Sequence, residues 1–125
     1  MSVSPCRDRD LSKLSYFHVP GKEPLVTWTV GQVIDRSGDL FGDAIAMVSY
    51  HQDIRKTYTE YKKDVDQLAA SLVSLKLRVG SRVALLCPRV YEGALLLYAA
   101  PKAGLVMVGI PTLCTASELE TSLNK

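Results

Sequence analysis

The sequence predicts an α/β fold in which a β-hairpin is followed by a right-handed β-α-β unit. Three observations predict it. Two short apolar, β-branched segments, Ala44 to Tyr50 and Ile54 to Tyr58, are separated by the polar turn His51-Gln52-Asp53, which is a hairpin pattern. Two almost wholly apolar runs, Arg82 to Cys87 and Leu105 to Ile110, have the character of parallel strands buried on both faces. The stretch between them, Tyr91 to Lys102, is long enough for a helix and ends at Gly104, so it supplies the crossover.

Taken in order, residues 1–26 carry Ser, Pro, charges and the turn Pro20-Gly21 without a helical or strand period, and read as an extended arm. A single folding unit over residues 27–125 follows. Thr29 is an N-cap candidate, and Val30, Val33, Ile34 and Leu40 line one face of a helix that stops near Phe41-Gly42. After the hairpin, Thr57 and Glu60 have the spacing of a capping box, in which each side chain satisfies an exposed backbone N–H of the first turn. The helix it opens has apolar groups at Tyr61, Val65, Leu68, Leu72 and Leu75, steps of four and three, which leaves Lys62, Lys63, Asp64 and Asp66 facing water. That stripe lasts about two heptads and stops before Gly80, which favours packing on a sheet over a coiled coil. Pro101 falls in the last turn of the crossover helix, where the lost backbone bond costs up to about 3 kcal/mol unless the helix kinks or ends. Thr115 and Glu118 repeat the capping-box spacing and open a last helix, Ala116 to Lys125.

Composition narrows the functional classes. A chain of 125 residues, 47% hydrophobic, fits one domain and can bury a core. A net charge of +2, with Lys and Arg scattered among carboxylates, does not make a nucleic-acid stripe. Three cysteines, Cys6, Cys87 and Cys114, without a CxxC spacing, argue against a disulfide framework or a structural zinc site. Gly93 to Ile110 is apolar enough to suggest a membrane span, but Pro101, Lys102 and Gly104 interrupt it, and a helix followed by a strand accounts for them. The first residues lack the apolar run of a secretory signal, and Asp8 and Asp10 do not suit a mitochondrial presequence.

Residues with chemical potential are few. There is no GxxxxGK[ST] loop, no GxGxxG turn and no HExxH; Pro20-Gly21-Lys22 reads as a turn. His18 and His51 fall in loops, and Asp64 and Asp66, two apart on a helix, point to different faces and cannot form an acid–base pair. Trp28, Tyr91 and Tyr98 suit a core or an edge, not base stacking. No catalytic, cofactor-binding or metal-binding residue is assigned.

Several blocks resemble one superfamily, the adenylate-forming acyl-CoA synthetases or AMP-dependent synthetases and ligases. Lys56-Thr57-Tyr58-Thr59-Glu60-Tyr61 resembles its TYxEL strand-to-helix element, and Gly80-Ser81-Arg82-Val83-Ala84 its GDRVA turn. Lys102 to Pro111 is similar to its KAGxxxVPxxP element, with Thr115-Ala116-Ser117-Glu118-Leu119 in place of its T/AxxEL. Ser15 to Leu25 and Thr29-Val30-Gly31-Gln32 resemble the entry region of its medium-chain members. Arg89, Pro101, Tyr61 and Ser81 depart from the usual Asn, helix former, Leu and Asp.

The resemblance implies a partial N-terminal domain of the adenylate-forming fold. It further implies a ligase in which a fatty-acid carboxylate attacks the α-phosphate of ATP, releasing pyrophosphate, and coenzyme A thiolate then displaces AMP from the acyl-adenylate. ATP, coenzyme A and Mg²⁺ are implied for the full-length enzyme, as are a fatty acid substrate and a C-terminal remainder as partner. The family's phosphate loop and catalytic lysine lie downstream of the blocks matched here, so the 125 residues alone are expected to be inactive. The compartment implied is the mitochondrial matrix, with the cytoplasm as alternative. Two other readings stay open: a non-catalytic interaction module or pseudo-enzyme that keeps the scaffold, and a small flavodoxin-like nucleotide binder, for which Cys87-Pro88-Arg89 is a poor phosphate turn.

Overall fold

The structure, a computed structural model, describes residues 21, 22 and 25–124. The arm expected over residues 1–26 therefore lies mostly outside the described residues, as do Cys6 and His18. The elements run α1 (Val30–Phe41), β1 (Ile45–Ser49), a 3₁₀ turn (Tyr50–Gln52), β2 (Ile54–Thr57), α2 (Tyr58–Ser74), β3 (Arg82–Leu85), α3 (Tyr91–Lys102), β4 (Val106–Gly109) and α4 (Ala116–Leu123).

Local chemistry places the helix starts. Thr29, Thr57 and Thr115 each accept from the backbone N–H three residues on, while Gln32, Glu60 and Glu118 reach back to the cap N–H. Each box satisfies two donors that the first helical turn leaves open. The boxes at Thr57 and Thr115 stand where the spacing predicts them, and Thr29 caps α1 with Gln32 completing a third. The crossover helix reaches Lys102 despite Pro101. Gly104, at φ 76°, then turns the chain into β4, with Leu105 N–H donating to Ala100 O and Gly104 N–H to Pro101 O. Those paired bonds close the helix end where Pro101 weakens it.

β1 and β2 pair antiparallel, from Ser49 opposite Ile54 to Ile45 opposite Thr57, with a bulge between Ile45 and Met47. β3 and β4 pair parallel, Arg82 opposite Val106 through Leu85 opposite Gly109. The hairpin and the strand–helix–strand order are those read from the sequence, with strand ends shifted by one or two residues.

The core lies among the helices. Ile34 of α1, Tyr61, Val65 and Ala69 of α2, and Tyr91 and Ala99 of α3 are buried together, with Ala46, Met47 and Ile54 of the hairpin against them. Tyr61 meets Tyr91 and Tyr98 edge-on, with ring centroids 6.0 and 5.9 Å apart, the arrangement aromatic quadrupoles favour. α1 approaches its neighbours closely at two glycines seven residues apart. A Cβ on Gly31 would stand 3.2 Å from Lys102 Cγ, and one on Gly38 would stand 2.6 Å from Lys62 Cδ.

Three expectations are corrected. Leu75 is 63% exposed, because α2 ends at Ser74 and its buried line runs Tyr61-Val65-Ala69, with Leu68 and Leu72 only half-buried beside it. Of the α2 residues expected in water, Lys63 is exposed but Lys62, Asp64 and Asp66 are half-buried, since α1 and α3 pack over that side. β3 and β4 are not buried on both faces: their residues alternate between half-buried and exposed or nearly so, because α3 packs on them and Val106 and Leu86 are left open.

Candidate functional site

The groups that converge do so where the hairpin meets the N-terminus of α3. There a cleft of about 450 Å³ opens between β1, the 3₁₀ turn and the loop after β3, lined by Met47, Val48, Tyr50, His51, Arg89 and Leu97 among others. Gln52 ties its two sides together. Its Oε1 accepts from Tyr91 N–H at 2.7 Å and from Ser49 Oγ at 2.7 Å, and its Nε2 donates to Glu92 Oε2 at 3.0 Å. Val90, at the N-cap of α3, supplies no side-chain bond, so a residue of the hairpin turn does the capping. The Gln52 bond, followed by one from its own backbone, holds the Glu92 carboxyl below its usual range.

Beneath the cleft, the Tyr91 hydroxyl donates to Asp64 Oδ2 at 2.7 Å and Lys56 Nζ stands 2.8 Å from the same oxygen. Burial opposes ionisation of Asp64, but the bonds from Lys56 and Tyr91 outweigh it and keep the carboxyl below its usual range. The same geometry pushes the Tyr91 hydroxyl well up, burial first and Asp64 second. Through these contacts the cluster ties β2, α2 and α3 together, and the raised Tyr91 hydroxyl stays protonated near neutrality. On the opposite side of α2, Lys102 Nζ lies 2.5 Å from both Asp35 Oδ1 and Asp66 Oδ1. Asp64 and Asp66 thus serve different partners, as their spacing requires.

The remaining candidates are dispersed. His51 is exposed in the turn, and among the described residues no hydrogen bond joins it to a serine, cysteine or carboxylate. Cys87 and Cys114 are half-buried free thiols, and Trp28, 46% exposed at an edge, carries the Arg36 guanidinium 4.0 Å above its ring. Tyr91 is in the core, Tyr98 on its margin. The carboxylates and the imidazole of the described residues do not form a Mg²⁺ site. Among the described residues no three His, Cys, Asp or Glu side chains converge, and Lys56, Lys62 and Lys102 already face carboxylates. Gln52 has no motif signal. Its role depends on a contact with α3 thirty-nine residues away, which no local pattern encodes.

The model of the AMP-binding enzyme family matches residues 34–125. The chain belongs to the AMP-binding enzyme family. Similar members of the AMP-binding enzyme family include the mitochondrial medium-chain acyl-CoA ligase ACSF2 of Mus musculus, 35% identical over 90% of this chain, and that of Danio rerio, 34% over 89%. The chain spans 18% of either relative's length. Among solved structures, the inhibitor-bound N-terminal domain of FACL13 from Mycobacterium tuberculosis superposes with a TM-score of 0.73 at 32% identity, over 76% of this chain and 24% of that one. The N-terminal subdomain of NpsA from Klebsiella oxytoca follows with a TM-score of 0.72 at 26% identity, over 77% and 24%. The fold is therefore that of part of an N-terminal domain in the AMP-binding enzyme family.

Proposed function

We propose that this chain forms part of the N-terminal domain of a fatty acid–CoA ligase, an acid–thiol ligase that uses ATP to join a medium-chain fatty acid to coenzyme A, releasing AMP and pyrophosphate. The observation that carries it is the 35% identity to a medium-chain acyl-CoA ligase over 90% of the chain. The family's phosphate loop and catalytic lysine lie downstream of the blocks matched here, so ATP, coenzyme A and Mg²⁺ then act at residues outside this segment. What residues 27–125 contribute is a scaffold: α1, α2 and α3 clasped through Lys102, and a hairpin latched to α3 through Gln52. With it goes the division into an arm over residues 1–26 and the start of the domain over 27–125, within which the family match over 34–125 falls. The name of the ACSF2 relatives supports a mitochondrial location, and among the described residues no helix is long and apolar enough to cross a membrane.

The test compares the 125-residue chain with the longest coding sequence that contains it, by ATP–pyrophosphate exchange and acyl-CoA formation. The longer product is expected to show exchange that depends on medium-chain fatty acids, and the chain alone none. Exchange with aryl or amino acids in place of fatty acids would overturn the substrate. Absence of exchange with any acid, in a folded longer product, would favour the scaffold-only module.

A further inference from the structure

The C-terminal ends of α2 and α3 and the first residues of β3 and β4 share one end of the molecule. Gly80 N–H donates to Gly104 O at 2.8 Å, and a Cβ on Gly104 would stand 3.5 Å from Val79 Cγ1. The loop there reads Leu75-Lys76-Leu77-Arg78-Val79, with leucine and valine alternating with cations. All five residues are exposed, Leu75 at 63%, Leu77 at 45% and Val79 at 87%, and Arg82 at the start of β3 is exposed beside them. No Asp or Glu occurs between Asp66 and Glu92, and Asp66 is itself paired with Lys102.

From this we infer that this end is a docking surface for an anionic lipid bilayer. Apolar side chains interleaved with cations that face no carboxylate among the described residues fit the boundary between head groups and acyl chains, where the aliphatic groups enter the apolar layer and the cations meet phosphates. Nucleic acid would also attract Lys76, Arg78 and Arg82, but residues 75–82 contain no aromatic ring on which a base could stack. Among the described residues the ion pairs lie at Lys56, Lys62 and Lys102 and none involves Lys76, Arg78 or Arg82, so these three cations are left to meet a negative surface. The inference does not depend on ligase activity.

The test is flotation with phosphatidylserine/phosphatidylcholine vesicles and with pure phosphatidylcholine vesicles, on the 125-residue chain and on the longest coding sequence that contains it. Expected is binding of both proteins to the anionic vesicles that weakens with salt. Neutralising Lys76 and Arg78 together, K76Q/R78Q, should lower the partition coefficient about 25-fold, roughly fivefold per charge. Leu77→Ser with Val79→Ser should lower it with the charges intact, whereas Arg55→Gln with Lys63→Gln, two exposed cations on other elements, should not. Thermal melts show that each variant is folded. Equal binding to neutral vesicles, unchanged binding of K76Q/R78Q, tighter binding to an RNA oligonucleotide than to vesicles, or loss of binding in the longer protein, where further domain would then cover this end, would each overturn the proposal.

Discussion

Lys76 holds a backbone position that side chains avoid. It follows the C-cap of α2 at φ 54°, donating its N–H to Val73 O at 3.0 Å, and glycine is the residue that takes this left-handed turn without strain. Lys76→Gly should therefore raise stability by about 1 kcal/mol, read as a higher urea midpoint with an unchanged slope. Tyr61 makes a second residue-scale prediction. Its hydroxyl donates to Ala94 O at 2.8 Å, and burial pushes its pKa from 10.0 to about 12. A raised folded-state pKa means that the stabilisation is complete below pH 10 and is lost as pH climbs from 10 towards 12. Tyr91, raised by burial and by Asp64, acts in the same direction. The thermal midpoint should fall steeply above pH 10. In Tyr61→Phe that alkaline fall should be shallower, at a cost of about 1 kcal/mol near neutrality for the lost bond. A Tyr61→Phe melt with an alkaline limb as steep as the parent's would contradict the assignment.

Between elements, Lys102 and Gln52 do the joining. Lys102 carries one cation to carboxylates on α1 and α2, with side chains 23% exposed for Lys102 and 39% and 43% for Asp35 and Asp66. That exposure admits solvent screening, so a double-mutant cycle of Lys102→Met with Asp66→Asn should give a coupling of only about 0.5 to 1 kcal/mol, shrinking in molar salt. A coupling of zero at low salt would mean that the geometry contributes no net energy. Gln52→Leu leaves Tyr91 N–H and the buried Ser49 hydroxyl without their acceptor, and should cost about 1 to 3 kcal/mol, seen as a lower melting temperature. By contrast Leu72, half-buried beside the Tyr61-Val65-Ala69 line, should lose less on truncation than the fully buried Val65, for which Val65→Ala costs about 2 kcal/mol.

At the scale of the whole molecule, apolar surface stays open. Leu86 and Val106 beside the parallel pair, Phe41 and Ile45 near the hairpin, and Leu113 after β4 are all exposed. Two strands with a helix on one side cannot cover both faces of a parallel sheet, and the relatives extend well beyond the 18% of their length matched here. The 125-residue chain should bind an apolar fluorescent dye strongly in native buffer. The longer coding product should bind it weakly if further chain covers these strands. Weak dye binding by the short chain, with a cooperative melt, would show that it closes its own surface.

The sequence by itself determined what short-range rules can encode. Thr57–Glu60 and Thr115–Glu118 mark helix starts because a capping box lies within four residues, and Gly104 marks the end of α3 because only its backbone takes φ 76° without strain. The hairpin and the strand–helix–strand order followed from hydrophobic period, and membership of the AMP-binding enzyme family was legible in blocks such as Lys102-Ala103-Gly104 and Arg82-Val83-Ala84. Tertiary structure alone decided which face of each element met a partner. The helical period of α2 marked Lys62, Asp64 and Asp66 as solvent-facing because it scores apolarity. The ion pairs that half-bury them need partners on β2, α1 and α3, as many as thirty-six residues away in Lys102. Gln52 and Tyr91 came together for the same reason: a glutamine carries no local preference for capping, and the helix end it caps is placed beside it only by packing of the core.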